Sequence, residues 1–203
     1  MDAIERLPDK DIGDAGPVSR RFRAEGLKSF LAACRHVHQM PYGYNSNKDD
    51  PLILFEEGFG SCTTKHMAVG LLARELALPV DKSIGIYAMN DRLVTGADRI
   101  AREFALPAIP VVHCFLVYER FRVDLTEGNL NGKNAPIDDF LFSAGVEPDI
   151  SSRDEYRLYR QALQAHVLTR PEFAGKTLKT ILAAREKALV LLKTNMRRQQ
   201  AAV

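Results

Sequence analysis

The order of elements in the sequence predicts an α+β fold with an antiparallel sheet. Apolar residues recur at helical spacing towards both ends of the 203-residue chain, whereas the middle contains β-branched and aromatic runs. Two of these runs are separated by a short polar pair and therefore predict a hairpin. Helices, then strands, then helices is an order typical of α+β architecture.

The first half of the chain predicts two helices after an irregular start. Residues 1–19 are rich in Asp, Gly and Pro and show no periodicity, which predicts a loose lead-in. A helix is predicted over 23–38, and a short apolar run follows at 51–55. After the break at 58–60, a second helix is predicted from Cys62 to about Leu76. Because this helix is apolar on two faces, we expect it in the centre of the domain.

The second half predicts a strand, a helix, a hairpin, a loop and two closing helices. They are predicted over 82–89, 95–104, 111–118 with 121–126, 128–134, 153–168 and 176–196. No repeat or linker divides the chain, so a single domain over 1–203 is expected. Its core would span about 23–145 and its C-terminal helical extension about 151–198.

Composition narrows the class of protein. The net charge is +2, from 28 basic and 26 acidic residues, which provides no overall field for a nucleic-acid partner. The longest stretch without a formal charge, 104–118, contains two prolines and is shorter than the roughly 20 residues of a spanning helix. The first ten residues carry charges where a secretory signal would be apolar. We therefore expect a cytoplasmic protein without a membrane span.

Three cysteines, Cys34, Cys62 and Cys114, form no close pair and are expected as free thiols in a reducing compartment. Cys34 and His38 could converge on one helix face as metal ligands, but a structural thiol and a surface histidine are favoured. Cys114 is predicted to be an inert core thiol. No metal and no cofactor are predicted.

Cys62 stands where a nucleophile would be expected, just inside a helix N-terminus. The unpaired N–H groups and the helix dipole favour a thiolate there, and the Cys62 N–H could help to stabilise an oxyanion. Gly58 and Gly60 would allow a substrate to approach the backbone closely. The alternative is a small core residue at the start of a buried helix, and this segment alone favours neither.

The hairpin supplies a histidine and a carboxylate. A two-residue turn at Glu119-Arg120 pairs residues whose numbers sum to 239, which places Cys114, Leu116, Tyr118, Phe121, Val123 and Leu125 on one apolar face. His113 and Asp124 then share the other face as diagonal neighbours, with their backbones about 7 to 8 Å apart. A buried carboxylate needs a partner, and histidine is the obvious one. The alternative is that His113 is a structural residue whose hydrogen bonds are all made within the sheet.

These motifs resemble the transglutaminase-like superfamily, in a bacterial-type branch, over residues from about 38 to 126. They are Gly60-Ser61-Cys62, the apolar helix ending in Leu-Ala-Leu-Pro-Val, the strand with His113 and the Val-Asp124-Leu-Thr segment. The resemblance implies a papain-like core, with the cysteine helix packed on an antiparallel sheet between flanking helices. It also implies that Cys62 is the nucleophile, His113 the base and Asp124 the residue that orients the base.

The chain departs from the pattern of animal transglutaminases because it contains no tryptophan to supplement the oxyanion site. Gln39, Tyr42 and Asn45, in the loop ahead of the cysteine, are the candidates for that donor. The Arg- and Gly-rich cysteine motif of the related arylamine acetyltransferases is also missing.

Two residues on the cysteine helix compete for roles in the site. His66 lies one turn after Cys62 and could act as the base, but His113 is preferred because His66 has no obvious carboxylate partner. Lys65 would stabilise a thiolate, although an exposed, solvated lysine is the favoured interpretation. The predicted function is therefore a hydrolase, deamidase or acyltransferase that acts on a peptide or a small molecule through a thioester.

A protein of another class is the alternative. The scaffold could serve as a binding or assembly module, with the terminal helices as its interface. The run 177–198 is a basic amphipathic helix, which we expect to pack against its own domain or against a second copy in a homo-oligomer.

Overall fold

The computed structural model describes residues 3–202 and has an α+β fold. Its α-helices are α1 (Pro17–Ala24), α2 (Phe30–Gln39), α3 (Ile53–Glu57), α4 (Cys62–Glu75), α5 (Ala97–Glu103), α6 (Ser152–Ala162) and α7 (Leu178–Ala201). Its strands are β1 (Val80–Met89), β2 (Ile109–Tyr118), β3 (Phe121–Val123) and β4 (Phe142–Val146). The strands form one antiparallel sheet in the order β3-β2-β1-β4. The predicted α+β class and antiparallel sheet are confirmed.

Helix α4 is buried on every side, as its two apolar faces predict. Every residue from Thr63 to Ala73 is buried. The helix begins after Ser61, whose side chain accepts a hydrogen bond from the Thr64 N–H while the Thr64 hydroxyl accepts one from the Ser61 N–H at 3.0 Å. This capping box satisfies N–H groups that would otherwise lack a partner at the start of the helix.

The hairpin has the predicted register. Leu116 pairs with Val123, Val117 with Arg122 and Tyr118 with Phe121. Glu119 has a φ of 53°, the left-handed conformation that a tight hairpin turn requires. Strand β3 is shorter than predicted and ends at Val123, so Asp124 is the first residue beyond it.

The predicted loose lead-in is wrong for the described residues from Ala3 onward. A 3-10 turn spans Ala3–Arg6, and Ile4, Leu7 and Ile12 are buried in the core. The N–H of Ile12 donates to the carbonyl of Lys28 at 2.8 Å. A few apolar residues without periodicity anchor this segment. A sequence pattern does not reveal the anchor, because the residues that it packs against lie far along the chain.

The single helix predicted over 23–38 is also wrong, since two helices occupy this region. Helix α1 begins with Pro17 in its first turn, a position that needs no N–H, and ends before Gly26, which has a φ of 80°. Ser29 then caps α2 by accepting a hydrogen bond from the Ala32 N–H at 3.3 Å. The helical spacing of Leu27 with the residues of α2 was coincidental.

The described chain divides into two compact units. Unit 1 contains the chain up to Ile84, together with Cys114–Asn129 and Ala144–Ser152. Unit 2 contains Gly85–His113, Leu130–Ser143 and the chain from Arg153 onward. Each unit has its own apolar cluster of buried residues.

The C-terminal elements follow the prediction closely, apart from β4. Helix α6 continues into a π-helical turn, Leu163–Val167, and the predicted break at Arg170-Pro171 is a 3-10 turn, Pro171–Phe173. Buried residues at helical spacing along α7, from Ile181 to Leu192, belong to the apolar cluster of unit 2. Strand β4 had no predictable run of β-branched residues. None of the helices formed by residues 3–202 combines the length and the apolar character that a membrane span requires.

Candidate functional site

Cys62 is the first residue of α4 and is the accessible thiol of the three. Its side chain is partly exposed, whereas Cys34 and Cys114 are buried. Burial raises the pKa of the Cys34 thiol, which keeps it protonated. The Cys114 sulfur lies 3.9 Å from the Thr63 hydroxyl oxygen, so it faces α4 as the predicted apolar face of the hairpin requires.

A loop ahead of α3 is fastened to the segment that leads into α4. Tyr42 forms a parallel β-bridge with Gly60, and the Gly43 N–H donates to the Gly60 carbonyl at 3.1 Å. A Cβ atom on Gly60 would lie 2.9 Å from Cγ of Lys65. The space beside Gly60 is therefore filled by a side chain of α4, which corrects the expectation that this glycine makes room for a substrate. Gly58, with a φ of 73°, ends α3.

Asn45 is saturated with hydrogen bonds. Its amide nitrogen donates to a carboxylate oxygen of Glu57 at 2.8 Å and to the carbonyl of Phe59 at 2.9 Å. Its amide oxygen accepts from the Ser61 N–H at 3.3 Å and from the Thr64 hydroxyl at 2.6 Å. Asn45 therefore holds the loop to the cap of α4, and its predicted role as an oxyanion donor is not supported by these bonds.

Tyr44, which the sequence did not single out, lies in the same loop and is close enough to Cys62 for its pKa to be affected by the charge of the thiolate. Burial raises the pKa of Tyr44 to about 12, and negative charge on Cys62 adds to that shift. Its ring is perpendicular to that of Tyr42, with the centroids 5.8 Å apart. Gln39, another predicted donor, is exposed at the end of α2. Tyr42 and Tyr44 are two residues apart in an extended segment and therefore point to the same side. This period of two is the sequence signal that could identify Tyr44.

His66 has a carboxylate neighbour, contrary to the prediction. Its Nε2 lies 3.6 Å from Oδ1 of Asp124 and accepts a hydrogen bond from the Leu125 N–H at 2.9 Å. Its Nδ1 lies 2.7 Å from the Cys62 carbonyl oxygen, to which it must donate. This network assigns the neutral Nδ1–H tautomer, in which both ring nitrogens are engaged by the backbone. His66 is thus poorly placed to take a proton from the Cys62 thiol.

Asp124 is held in a fixed orientation by Thr126, two residues later in the sequence. Its Oδ1 accepts hydrogen bonds from the Thr126 N–H at 2.8 Å and from the Thr126 hydroxyl at 2.7 Å. The side chain is only 11% exposed. Hydrogen bonds of this kind stabilise the ionised form of a carboxyl group.

Lys65 is completely buried, so the interpretation as a solvated lysine is wrong. Its ammonium group donates to the carbonyl of Met40 at 2.5 Å and to that of His38 at 3.3 Å. The amide group of Asn129 donates to the same two carbonyls. Burial lowers the pKa of Lys65 to about 7, opposed by attraction to the charge of Asp124.

His113 is buried in β2 and belongs to unit 2, whereas Cys62 and Asp124 belong to unit 1. Its ring meets that of Tyr87 edge to face, with the centroids 6.4 Å apart. Within unit 1, the ring of His66 lies between the backbone carbonyl of Cys62 and the carboxylate of Asp124. The grouping of His113 with Cys62 and Asp124 stays a prediction.

Two other features bear on binding. Within residues 3–202, no group of three or more His, Cys, Asp or Glu side chains could hold a metal ion. An open groove of 870 Å³ in unit 2 runs between α5 and α7, and none of the predicted site residues lines it. The ion pair between Lys187 and Glu103 lies in this groove.

Comparisons with known proteins return no relative. No protein-family model matches the chain, and neither a curated protein nor a solved structure matches it. The resemblance to the transglutaminase-like superfamily therefore rests on the motif residues alone.

Proposed function

We propose that this protein is an enzyme that attacks an amide, or another acyl group, with the Cys62 sulfur to form a thioester. The position of Cys62 carries the proposal: it is a partly exposed thiol at the first residue of a capped helix, whereas the other two cysteines are buried. The positive end of the helix dipole favours the thiolate at that position, and the thiolate is the nucleophilic form. A papain-like arrangement of the transglutaminase-like type belongs to this proposal.

His113 is the proposed base and Asp124 the residue that orients it. The hairpin register supports this pair, because alternation along β2 assigns His113 to the face of Val117, which pairs with Arg122. Continued past β3, the same alternation assigns Asp124 to the face of Arg122. His66 is a weaker candidate because backbone groups engage both of its ring nitrogens.

The reaction begins when His113 takes the proton of the Cys62 thiol. The thiolate attacks the carbonyl carbon, so that a C–S bond forms and the C=O electron pair moves to oxygen. As this oxyanion collapses, the C–N bond breaks and the amine leaves with the proton from His113. Water, or an acceptor amine, then gives a proton to His113 and attacks the thioester carbon. The C–S bond breaks, and Cys62 regains a proton from His113.

Tyr44 is the proposed side-chain donor to the oxyanion, together with the backbone N–H of Cys62. With its pKa raised to about 12 by burial and by charge on Cys62, its hydroxyl keeps its proton throughout the neutral range. A preorganised donor of this kind stabilises charge that develops only in the transition state. Transfer of the acyl group to an acceptor amine makes the enzyme an acyltransferase, and transfer to water makes it a hydrolase. A deamidase is the hydrolase whose leaving group is ammonia, and all three reactions follow from the same thioester.

The proposal is tested with p-nitrophenyl acetate, an activated acyl donor that needs no knowledge of the natural substrate. Mass spectrometry of the intact protein should show one acetyl group on wild type and none on Cys62→Ser. Cys114→Ser removes a buried thiol and should be acetylated as wild type. His113→Ala should slow acetylation by about 10²- to 10⁴-fold, as expected for loss of a general base. His36→Ala, at a partly exposed position of α2, should not.

Alkylation by iodoacetamide provides the second measurement. We expect the rate of alkylation at Cys62 to rise around a midpoint at lower pH than the pKa of a free thiol, about 8.5. This pH profile should change in His113→Ala. The proposed activity is contradicted if Cys62 titrates as a free cysteine, keeps the same alkylation profile in His113→Ala and accepts no acetyl group. The binding or assembly module would then be the better explanation.

A further inference from the structure

Two backbone carbonyls at the end of α2 accept hydrogen bonds from side chains of two other segments of unit 1. They belong to His38, in the last turn of the helix, and to Met40, the residue that ends it. The ammonium group of Lys65 donates to them at 3.3 and 2.5 Å. The amide group of Asn129 donates to both as well, at 3.0 Å to that of Met40. Carbonyls at the end of a helix lack an N–H partner within the helix, so their donors must come from elsewhere.

Asn129 belongs to the turn that carries Asp124. The backbone N–H of Asn129 donates to the carbonyl of Thr126 at 3.3 Å, and Thr126 donates two hydrogen bonds to the carboxylate of Asp124. Nδ1 of His38 also donates to the carbonyl of Leu125 in this turn, at 3.2 Å. The turn is therefore attached to the end of α2 at two points, one of which is the side chain of Asn129.

The loop that leaves α2 leads to the start of α4. In this loop, the Gly43 N–H donates to the Gly60 carbonyl at 3.1 Å. Cys62 follows two residues after Gly60, as the first residue of α4. The end of α2 is therefore the point at which the loop beside the cysteine meets the turn that carries Asp124.

We propose that Asn129 is a positioning residue: together with Lys65 it fastens the turn of Asp124 and the start of α4 to the same two carbonyls. The attachment sets the position of the carboxylate relative to the proposed nucleophile. Asn129 touches neither the substrate nor the reacting atoms. The inference rests on the proposed function for its consequence in catalysis alone, because the attachment itself can be measured without any substrate.

The first test is hydrogen exchange in Asn129→Leu, which keeps the approximate bulk of the side chain and removes its N–H donors. Exchange at Gly43, in the loop after α2, and at Thr126, in the turn, should each accelerate by about 2- to 10-fold, as expected for the net loss of one hydrogen bond. Asn195→Leu is the control, because Asn195 also donates to a backbone carbonyl, that of Thr95 at 3.0 Å, but in unit 2. It should change neither rate.

A double-mutant cycle with Lys65→Met tests whether the two side chains act on the same carbonyls. Each single variant leaves one of the two donors in place, whereas the double variant removes both. Exchange of the Gly43 N–H should therefore accelerate in the double variant by more than the product of the two single effects. Effects that simply multiply would show that Asn129 and Lys65 act independently, and the shared attachment would be overturned.

Catalysis provides a readout that a loss of stability alone would not change. If p-nitrophenyl acetate acetylates wild type, Asn129→Leu should be acetylated about 10- to 10²-fold more slowly, as expected for a misplaced group. The pH profile of Cys62 alkylation should move towards that of His113→Ala, because Asp124 no longer orients the base. Asn129→Gln restores an amide donor and should recover part of the rate, while Asn195→Leu should match wild type. Wild-type acetylation and pH profile in Asn129→Leu, despite faster exchange, would overturn the positioning role.

Failure of this inference is distinguishable from failure of the proposed function. If wild type takes no acetyl group, the enzyme is contradicted, and the exchange rates of Gly43 and Thr126 still decide whether Asn129 joins the two segments. If wild type is acetylated but Gly43 exchanges at the wild-type rate in Asn129→Leu, the enzyme stands and the inference is overturned.

Discussion

Nε2 of His66 lies 3.6 Å from Oδ1 of Asp124, yet the same nitrogen accepts a hydrogen bond from the Leu125 N–H. A nitrogen that accepts this bond carries no proton, so the two groups do not form an ion pair. Instead, His66 connects the first turn of α4 to the segment after β3. The fixed position of Asp124 beside α4 depends on this connection and on Thr126.

Replacing His66 with Ala should destabilise the protein by about 1–3 kcal/mol, because the buried Leu125 N–H loses its acceptor. Urea unfolding measures this loss. His36→Ala removes a partly exposed side chain from the neighbouring helix α2 and should stay within about 0.5 kcal/mol of wild type. Equal stabilities of the two variants would show that the His66 hydrogen bonds contribute nothing to the fold.

Asn45→Ala should loosen the N-terminus of α4. Asn45 bonds to Glu57, Phe59, Ser61 and Thr64, so its removal breaks four hydrogen bonds at the start of α4, at a cost of about 1–3 kcal/mol. The amide exchange of Ser61 should accelerate in parallel. Gln39→Ala replaces an exposed amide side chain just ahead of the same loop and should change neither quantity. Wild-type exchange at Ser61 in Asn45→Ala would contradict this role.

Tyr44→Phe should slow acetylation of Cys62 by p-nitrophenyl acetate by about 10²-fold, since one oxyanion donor is lost. Alkylation by iodoacetamide forms no oxyanion and should change little in the same variant. Tyr42→Phe distinguishes the two tyrosines of the loop. If Tyr42→Phe slows acetylation and Tyr44→Phe does not, the donor has been assigned to the wrong residue.

The stability of the protein should depend on pH through Lys65. Burial lowers its pKa to about 7 in the folded state, from 10.5 in the unfolded chain. Between these values the unfolded state binds the additional proton, so the free energy of unfolding rises with pH, by at most about 1.4 kcal/mol per pH unit. Urea unfolding between pH 7 and 10 measures the slope. Lys65→Met should lose this contribution, and a variant that keeps the full wild-type slope would contradict it.

Much of the fold was predictable from short-range patterns. The hairpin register followed from two apolar runs around Glu119-Arg120, and the start of α4 from the glycines and serine that precede Cys62. Helical spacing does not predict the split between α1 and α2, because Leu27 happens to continue the spacing of α2 across Gly26. The sequence does not predict strand β4, because pairing in the sheet, rather than its own side chains, makes it a strand.

The candidate site separates the two kinds of information. Residue types and local spacing were enough to select Cys62, His113 and Asp124 as candidates, since a helix start and a strand register depend on neighbouring residues. The burial of Lys65, the contact of His66 with Asp124 and the placement of Tyr44 arise between segments distant in the chain. Such contacts exist only after the core has formed, because packing removes water from these groups and brings their partners within hydrogen-bonding distance.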